Sequence, residues 1–82
     1  MNDVNHITEL VRTIVSQLVD NPSAIMIEEK SGDRTTVISI TVPKDEVGKI
    51  IGREGKIITS IRTICENIAA KNEKRVNIHI ID

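Results

Sequence analysis

Gly48-Lys49-Ile50-Ile51-Gly52-Arg53-Glu54-Gly55-Lys56-Ile57-Ile58 is the stretch on which the fold turns. Just upstream, Pro43 presets the φ of a first helical turn, Asp45 and Glu46 suit the positive end of a helix dipole, and Val47, Ile50 and Ile51 stand at i, i+3, i+4 spacing. A short helix over residues 44–51 is expected, stopped by Gly52 in a left-handed conformation. Gly55 then opens a second pattern, in which Ile57, Ile58, Ile61, Ile64, Cys65, Ile68 and Ala69 recur at helical spacing to about residue 70. Two helices are thus joined by a four-residue loop with glycine at each end.

Working outward, Val4, Ile7, Leu10, Val11, Ile14, Val15, Leu18 and Val19 mark one face of a helix over residues 4–19. Asp20, Asn21 and Pro22 end it, because the residue before proline avoids the helical region and Asn tolerates a left-handed cap. Strands are expected over 24–29 and 35–42, joined by Ser31, Gly32, Asp33 and Arg34 as a four-residue hairpin loop. In the second strand Ile38, Ile40 and Val42 face one way and Val37, Ser39 and Thr41 the other. Asn72 ends the third helix, and Val76, Ile78 and Ile80 alternate with Asn77, His79 and Ile81 in a last strand. The order α-β-β-α-α-β places that strand parallel to the second after a right-handed crossover. The fold class is α+β: a two-layer sandwich with a three-stranded mixed sheet and three helices on one face.

Eighty-two residues, 39% apolar and 28% charged, have room for one globular domain. A chain this short buries roughly 60 to 65% of its surface, so its stability is modest and an oligomeric partner helps it. The apolar set is dominated by 16 Ile and 8 Val, with no Phe, Tyr or Trp. That absence excludes base stacking on aromatic rings and any aromatic cage for a quaternary amine. The longest apolar run, residues 24–27, is far below the roughly 20 residues of a membrane span, and Asp3 sits where a signal peptide needs positive charge. No membrane insertion is expected, and the location expected is cytoplasmic. The single Cys65, between Ile61, Ile64 and Ile68, reads as a small core residue.

The net charge of −1 conceals an asymmetry. Residues 1–42 hold three basic against six acidic side chains, whereas residues 43–75 hold eight basic against five acidic. Screening confines each charge to about 8 Å at physiological salt, so a basic region on an acidic protein can still attract phosphate. A solvated helix face accounts for the same lysines equally well.

Catalytic constellations are thin. The two histidines, His6 and His79, join no nucleophile, and no His, Cys or carboxylate spacing suits a metal, so neither an enzyme nor a cofactor is expected. Gly48, Gly52 and Gly55 match neither the dinucleotide nor the P-loop fingerprint. As a helix-turn-helix, the second helix is too rich in Ile to read base edges. What remains is an anion site: Gly52 and Gly55 let a sugar-phosphate backbone approach closely, and the helix that follows points its unpaired N–H groups there. Lys49, Arg53 and Lys56 lie within one turn of the loop and can neutralise phosphates, with Glu54 directed to solvent. A bare G-x-x-G occurs in many tight helix turns, so the spacing alone leaves the question open.

The run Ile50-Ile51-Gly52-Arg53-Glu54-Gly55-Lys56-Ile57-Ile58 resembles the I-I-G-x-x-G-x-x-I core of KH domains, and the element order resembles their type II arrangement. One such domain filling the chain, with Asp20-Asn21-Pro22 after the first helix and Ile80-Ile81-Asp82 at the end, is similar to the small bacterial KH proteins of the KhpA type. The resemblance implies single-stranded RNA held in a groove, with the loop Gly52, Arg53, Glu54 and Gly55 clamping the backbone beside Lys49 and Lys56. It further implies a groove floor drawn from Ile50, Ile51, Ile58, Ile38 and Ile40, for each of which plain core is the competing reading. An RNA chaperone or post-transcriptional regulator is implied, acting as a homodimer or with a larger KhpB (Jag-type) partner in cell elongation and envelope homeostasis. Glu54 departs from family loops that carry two basic or neutral residues, so binding is expected to be weak, salt-sensitive and poorly sequence-selective, improving when two grooves act together. The alternative is a protein-interaction module whose loop does not contact RNA.

Overall fold

Sixteen isoleucines and eight valines without an aromatic ring must build a core from small branched side chains, which suits two thin layers. The computed structural model describes residues 3–82, with side chains from His6 onward, so the side chain of Val4 lies outside the described set. The elements are α1 (Asp3–Leu18), β1 (Met26–Ser31), β2 (Thr35–Thr41), α2 (Val47–Ile51), α3 (Lys56–Lys71) and β3 (Arg75–Ile81). β2 is central, antiparallel to β1 and parallel to β3, as the crossover rule predicts. The fold is α+β, with three helices and a three-stranded mixed sheet, consistent with a type II KH-like arrangement.

The alternation of β2 decides the layering. Thr36, Ile38 and Ile40 are buried, whereas Thr35, Val37, Ser39 and Thr41 on the opposite face are half-buried. Against the inner face pack Ile7, Val11 and Val15 of α1, Ile50 of α2, and Ile58, Ile61, Cys65 and Ala69 of α3. Val76 and Ile78 of β3 complete the core. Ile38 and Ile40 have no exposed surface, and each such side chain contributes on the order of 1.5–3 kcal/mol by burial. Cys65 is likewise buried, and desolvation pushes its thiol above its ordinary range.

Several boundaries differ from the expectation, each for a local reason. β1 starts at Met26 instead of Ala24, because Pro22–Ala24 forms a 3-10 turn closed by the Ile25 N–H donating to the Pro22 carbonyl at 3.1 Å. Asn21 is not left-handed (φ −124°); its N–H donates to Glu46 instead. Ser31 pairs with Thr36 inside the hairpin, which shortens the connection to residues 32–34, closed by the Gly32 N–H on the Thr35 carbonyl at 2.7 Å. Residues 44–46 form a 3-10 turn before a shorter α2. Asn72 ends α3 as expected, and the residue after it, Glu73, is left-handed (φ 58°). β3 is an edge strand, and Arg62 of α3 donates from Nε and Nη2 to its Ile78 carbonyl at 3.2 and 3.0 Å, occupying an acceptor otherwise open to strand addition. Among the described residues no helix is long and apolar enough to cross a membrane.

Candidate functional site

The loop between α2 and α3 is built on backbone conformations that most side chains refuse. Gly52 has φ 78° and ψ 173°, a region open essentially to glycine alone, so it is not the ordinary left-handed stop expected of it. The left-handed residues are the last two of the turn, Glu54 (φ 56°, ψ 26°) and Gly55 (φ 74°, ψ 14°). A Cβ on Gly52 would lie 2.5 Å from Cγ1 and 2.9 Å from Cβ of Ile57, whereas one on Gly55 would meet nothing closer than Thr59 Oγ1 at 4.0 Å. The two glycines therefore serve different ends: Gly52 lets Ile57 close over the chain, and Gly55 supplies conformation only.

Three hydrogen bonds hold the turn. The Gly52 N–H donates to the Gly48 carbonyl at 2.9 Å, the Gly55 N–H to the Gly52 carbonyl at 3.1 Å, and the Lys56 N–H to the Arg53 carbonyl. α3 starts immediately afterwards, and no side chain caps it, since Gly55 has none to offer. Beyond the Lys56 N–H, the first-turn N–H groups of α3 have no side-chain cap, and the positive end of its 16-residue dipole faces solvent or an anion.

Charge around this point is unevenly available. Arg53 and Lys56 are exposed and belong to no ion pair among the described residues, and Glu54 is exposed as well. Lys49 is engaged: its Nζ donates to Asp20 Oδ2 at 2.6 Å and to Glu46 Oε1 at 3.0 Å. Glu46, expected to sit at a helix start as a dipole partner, is instead buried and ties that start to the end of α1. Its Oε1 accepts the Asp20 N–H at 2.9 Å and its Oε2 the Asn21 N–H at 3.0 Å. The Asp20 N–H and then the Lys49 ammonium hold the Glu46 carboxyl below its ordinary value of 4.5. Asp20 and then Glu46 hold the Lys49 ammonium above its ordinary value of 10.5.

The isoleucines expected to floor a groove divide. Ile38, Ile40 and Ile50 have no exposed surface, and Ile58 retains 5%, so all four are core and offer nothing to a ligand in this conformation. The physical reason is that Ile38 and Ile40 lie on the sheet face that the helices cover, and Ile50 and Ile58 on the helix faces that cover it. Ile51 is half-buried beside the loop and keeps accessible surface. Sequence reasoning passed over Ile57, which covers Gly52, and the Asp20–Glu46–Lys49 group. The first carries a signal, an apolar residue two positions after the second loop glycine; of the second only the i,i+3 pair Glu46–Lys49 is local, since Asp20 lies 26 and 29 residues from its partners. His6 and His79 are both exposed, and among the described residues no group of His, Cys, Asp and Glu could hold a metal ion.

Comparison with known proteins gives a consistent answer. Residues 8–80 match the family model described as KhpA/KhpB, KH domain. The chain is 42% identical over 73 residues to the RNA-binding protein KhpA of Caldanaerobacter subterraneus subsp. tengcongensis, covering 89% of this chain and 97% of that protein. It is 37% identical over 82 residues to the RNA-binding protein KhpA of Borreliella burgdorferi, covering both chains in full. Among solved structures, Era of Aquifex aeolicus shares the fold with a TM-score of 0.55 at 23% identity, over 92% of this chain and 29% of that one.

Proposed function

Because the chain belongs to the KhpA/KhpB KH-domain family, we propose that it binds single-stranded RNA through the loop Gly52, Arg53, Glu54 and Gly55. The observation that carries this reading is the uncapped start of α3, presented by a tight glycine turn, with Arg53 and Lys56 exposed beside it and unengaged by any carboxylate among the described residues. Phosphate oxygens accept from the backbone N–H groups, and the two cations release counterions on contact. The positive-φ conformations of Gly52 and Gly55 hold the turn in the shape that presents these groups. Without aromatic rings there is no stacking, so the binding is backbone-directed, weak and salt-dependent. Ile51, with surface beside the loop, is the isoleucine of the expected set placed to touch a base.

The cellular role proposed is that of an RNA chaperone or post-transcriptional regulator in the cytoplasm, acting in cell elongation and envelope homeostasis. Two grooves acting together raise the avidity of weak sites, which favours pairing with a second copy or with a KhpB-type partner. Exposed apolar side chains support such pairing: Ile64 on α3 is 50% exposed, and Met26 and Ile81 on the sheet are 61% and 46% exposed.

The test is fluorescence anisotropy of a labelled single-stranded RNA titrated with wild type and with Arg53→Asp/Glu54→Asp at two salt concentrations, both proteins checked for folding by circular dichroism. The expected result is wild-type binding that weakens with salt and disappears in the folded variant. Equal binding by both, or none by either, would remove the loop as the RNA site and favour a protein-interaction role.

A further inference from the structure

Lys49 stands beside the loop yet is held back from it. α2 runs directly into Gly52, and three residues of helical rise, about 4.5 Å, separate Lys49 from that glycine. Its two acidic partners differ in kind. The Glu46 side chain is only 5% exposed, and its oxygens already accept two backbone N–H groups, so Lys49 neutralises a charge that water cannot reach. The Asp20 side chain is 85% exposed, and its carboxylate has Lys49 as its one bonded partner among the described residues. A carboxylate so well hydrated gains little from an ion pair, and burial does not require its partner. Its consequence lies elsewhere: Asp20, Glu46 and Lys49 together carry a net charge of −1 next to a loop that faces phosphate.

We propose that Asp20 sets the affinity of the RNA site by engaging the Lys49 ammonium that would otherwise reach an RNA phosphate. The proposal rests on the RNA-binding reading above. An ammonium has three donors, of which Asp20 and Glu46 take two. Without the Asp20 charge, two donors become available and Lys49 can bond a phosphate oxygen while remaining on Glu46. With both carboxylates against it, the ammonium's charge is more than offset and its remaining donor presents no net cation to a phosphate, so the loop binds with one cation fewer than its sequence displays. On a single strand each phosphate neutralised adds about 0.7 to the slope of log K against log salt, so one further contact is worth about fivefold in affinity at about 0.1 M salt.

The experiment is anisotropy of a fluorescein-labelled oligouridine titrated with wild type, Asp20→Asn, Asp20→Glu and Asp33→Asn between about 0.05 and about 0.2 M sodium chloride. Asp20→Asn retains the backbone N–H that Glu46 accepts, so folding is preserved and is checked by circular dichroism. Asp33 is an exposed carboxylate on the β1–β2 turn, beside the start of β3 and so at the far end of α3 from the loop, roughly 24 Å away by helical rise. It controls for net charge alone. Expected are about fivefold tighter binding by Asp20→Asn at about 0.1 M salt, a slope steeper by about 0.7, and wild-type behaviour of Asp20→Glu and Asp33→Asn. The gain should also vanish in Asp20→Asn/Lys49→Gln. Asp20→Asn binding as wild type, or Asp33→Asn giving the same gain, overturns the proposal while leaving RNA binding in place. No binding by wild type or any variant overturns the RNA reading itself, and this one with it.

Discussion

Three glycines within eight residues are expected to respond to alanine in opposite directions, and the loop geometry ranks them. At Gly52 an alanine must hold φ 78° and ψ 173°, which costs about 1–3 kcal/mol. Its Cβ must also avoid Ile57, and although Cγ1 at 2.5 Å can rotate away, the Ile57 Cβ at 2.9 Å moves only if the first turn of α3 moves. Overpacking of that kind adds about 1–3 kcal/mol. The total, roughly 2–6 kcal/mol, is a large part of the ~4–12 kcal/mol that a domain of this size possesses. Gly55→Ala meets no atom closer than 4.0 Å and bears only the left-handed penalty, about 1–2 kcal/mol. Gly48 lies inside α2 with open space around it, so Gly48→Ala should stabilise by about 0.5–1 kcal/mol. Thermal melts followed by far-ultraviolet circular dichroism convert each kcal/mol into about 4–8 °C for a domain of this size. The expected order of midpoints is Gly48→Ala, wild type, Gly55→Ala, Gly52→Ala. A Gly52→Ala midpoint at or above that of Gly55→Ala would refute the packing of Ile57 against the turn and the conformation assigned to Gly52.

Glu46→Gln should lower stability at neutral pH. The folded carboxyl lies below its ordinary value of 4.5, so its contribution is complete above that value and is lost as pH falls through the folded one. Urea midpoints across this acid range should therefore fall less steeply in Glu46→Gln than in wild type, and parallel curves would count against the buried carboxylate. Ile40→Ala should cost about 2–5 kcal/mol and Ile40→Val about 0.5–1.5, whereas Ile81→Ala, at a side chain 46% exposed, should stay within about 0.5 kcal/mol. Denaturant titration checks all three, and a near-neutral Ile40→Ala would mean that the inner face of β2 is not covered. Cys65 should react with an aromatic disulfide reagent at the rate of unfolding, because burial both shields the thiol and disfavours its thiolate. Fast stoichiometric labelling of the native protein would contradict its position.

Periodicity made most of the fold legible. The apolar spacing of α1 and α3 and the alternation of β2 and β3 appear in the structure as buried faces, because both patterns are written by neighbours on one element; Ile64 of α3, expected on that face, is the exception and is exposed. Gly52 and Gly55 were legible as turn residues for the same local reason. Periodicity does not say what covers a face, which is why Ile38, Ile40, Ile50 and Ile58 could be read as groove or core until the helices were in place. The start of β1 was likewise lost to a competing local preference, the 3-10 turn that Pro22 favours.

Sequence alone, then, determined the element order, the parallel pairing of β3 and the glycine-bounded turn, since each depends on chirality, residue shape or short-range spacing. Only the tertiary structure decided which charges around that turn are free. Glu46 meets Lys49 at i,i+3 spacing, but Asp20 reaches both only through the docking of the α1 end on α2, and no pattern local to the chain encodes contacts across 26 and 29 residues. Arg53 and Lys56 remain exposed because nothing in the fold brings a carboxylate to them among the described residues.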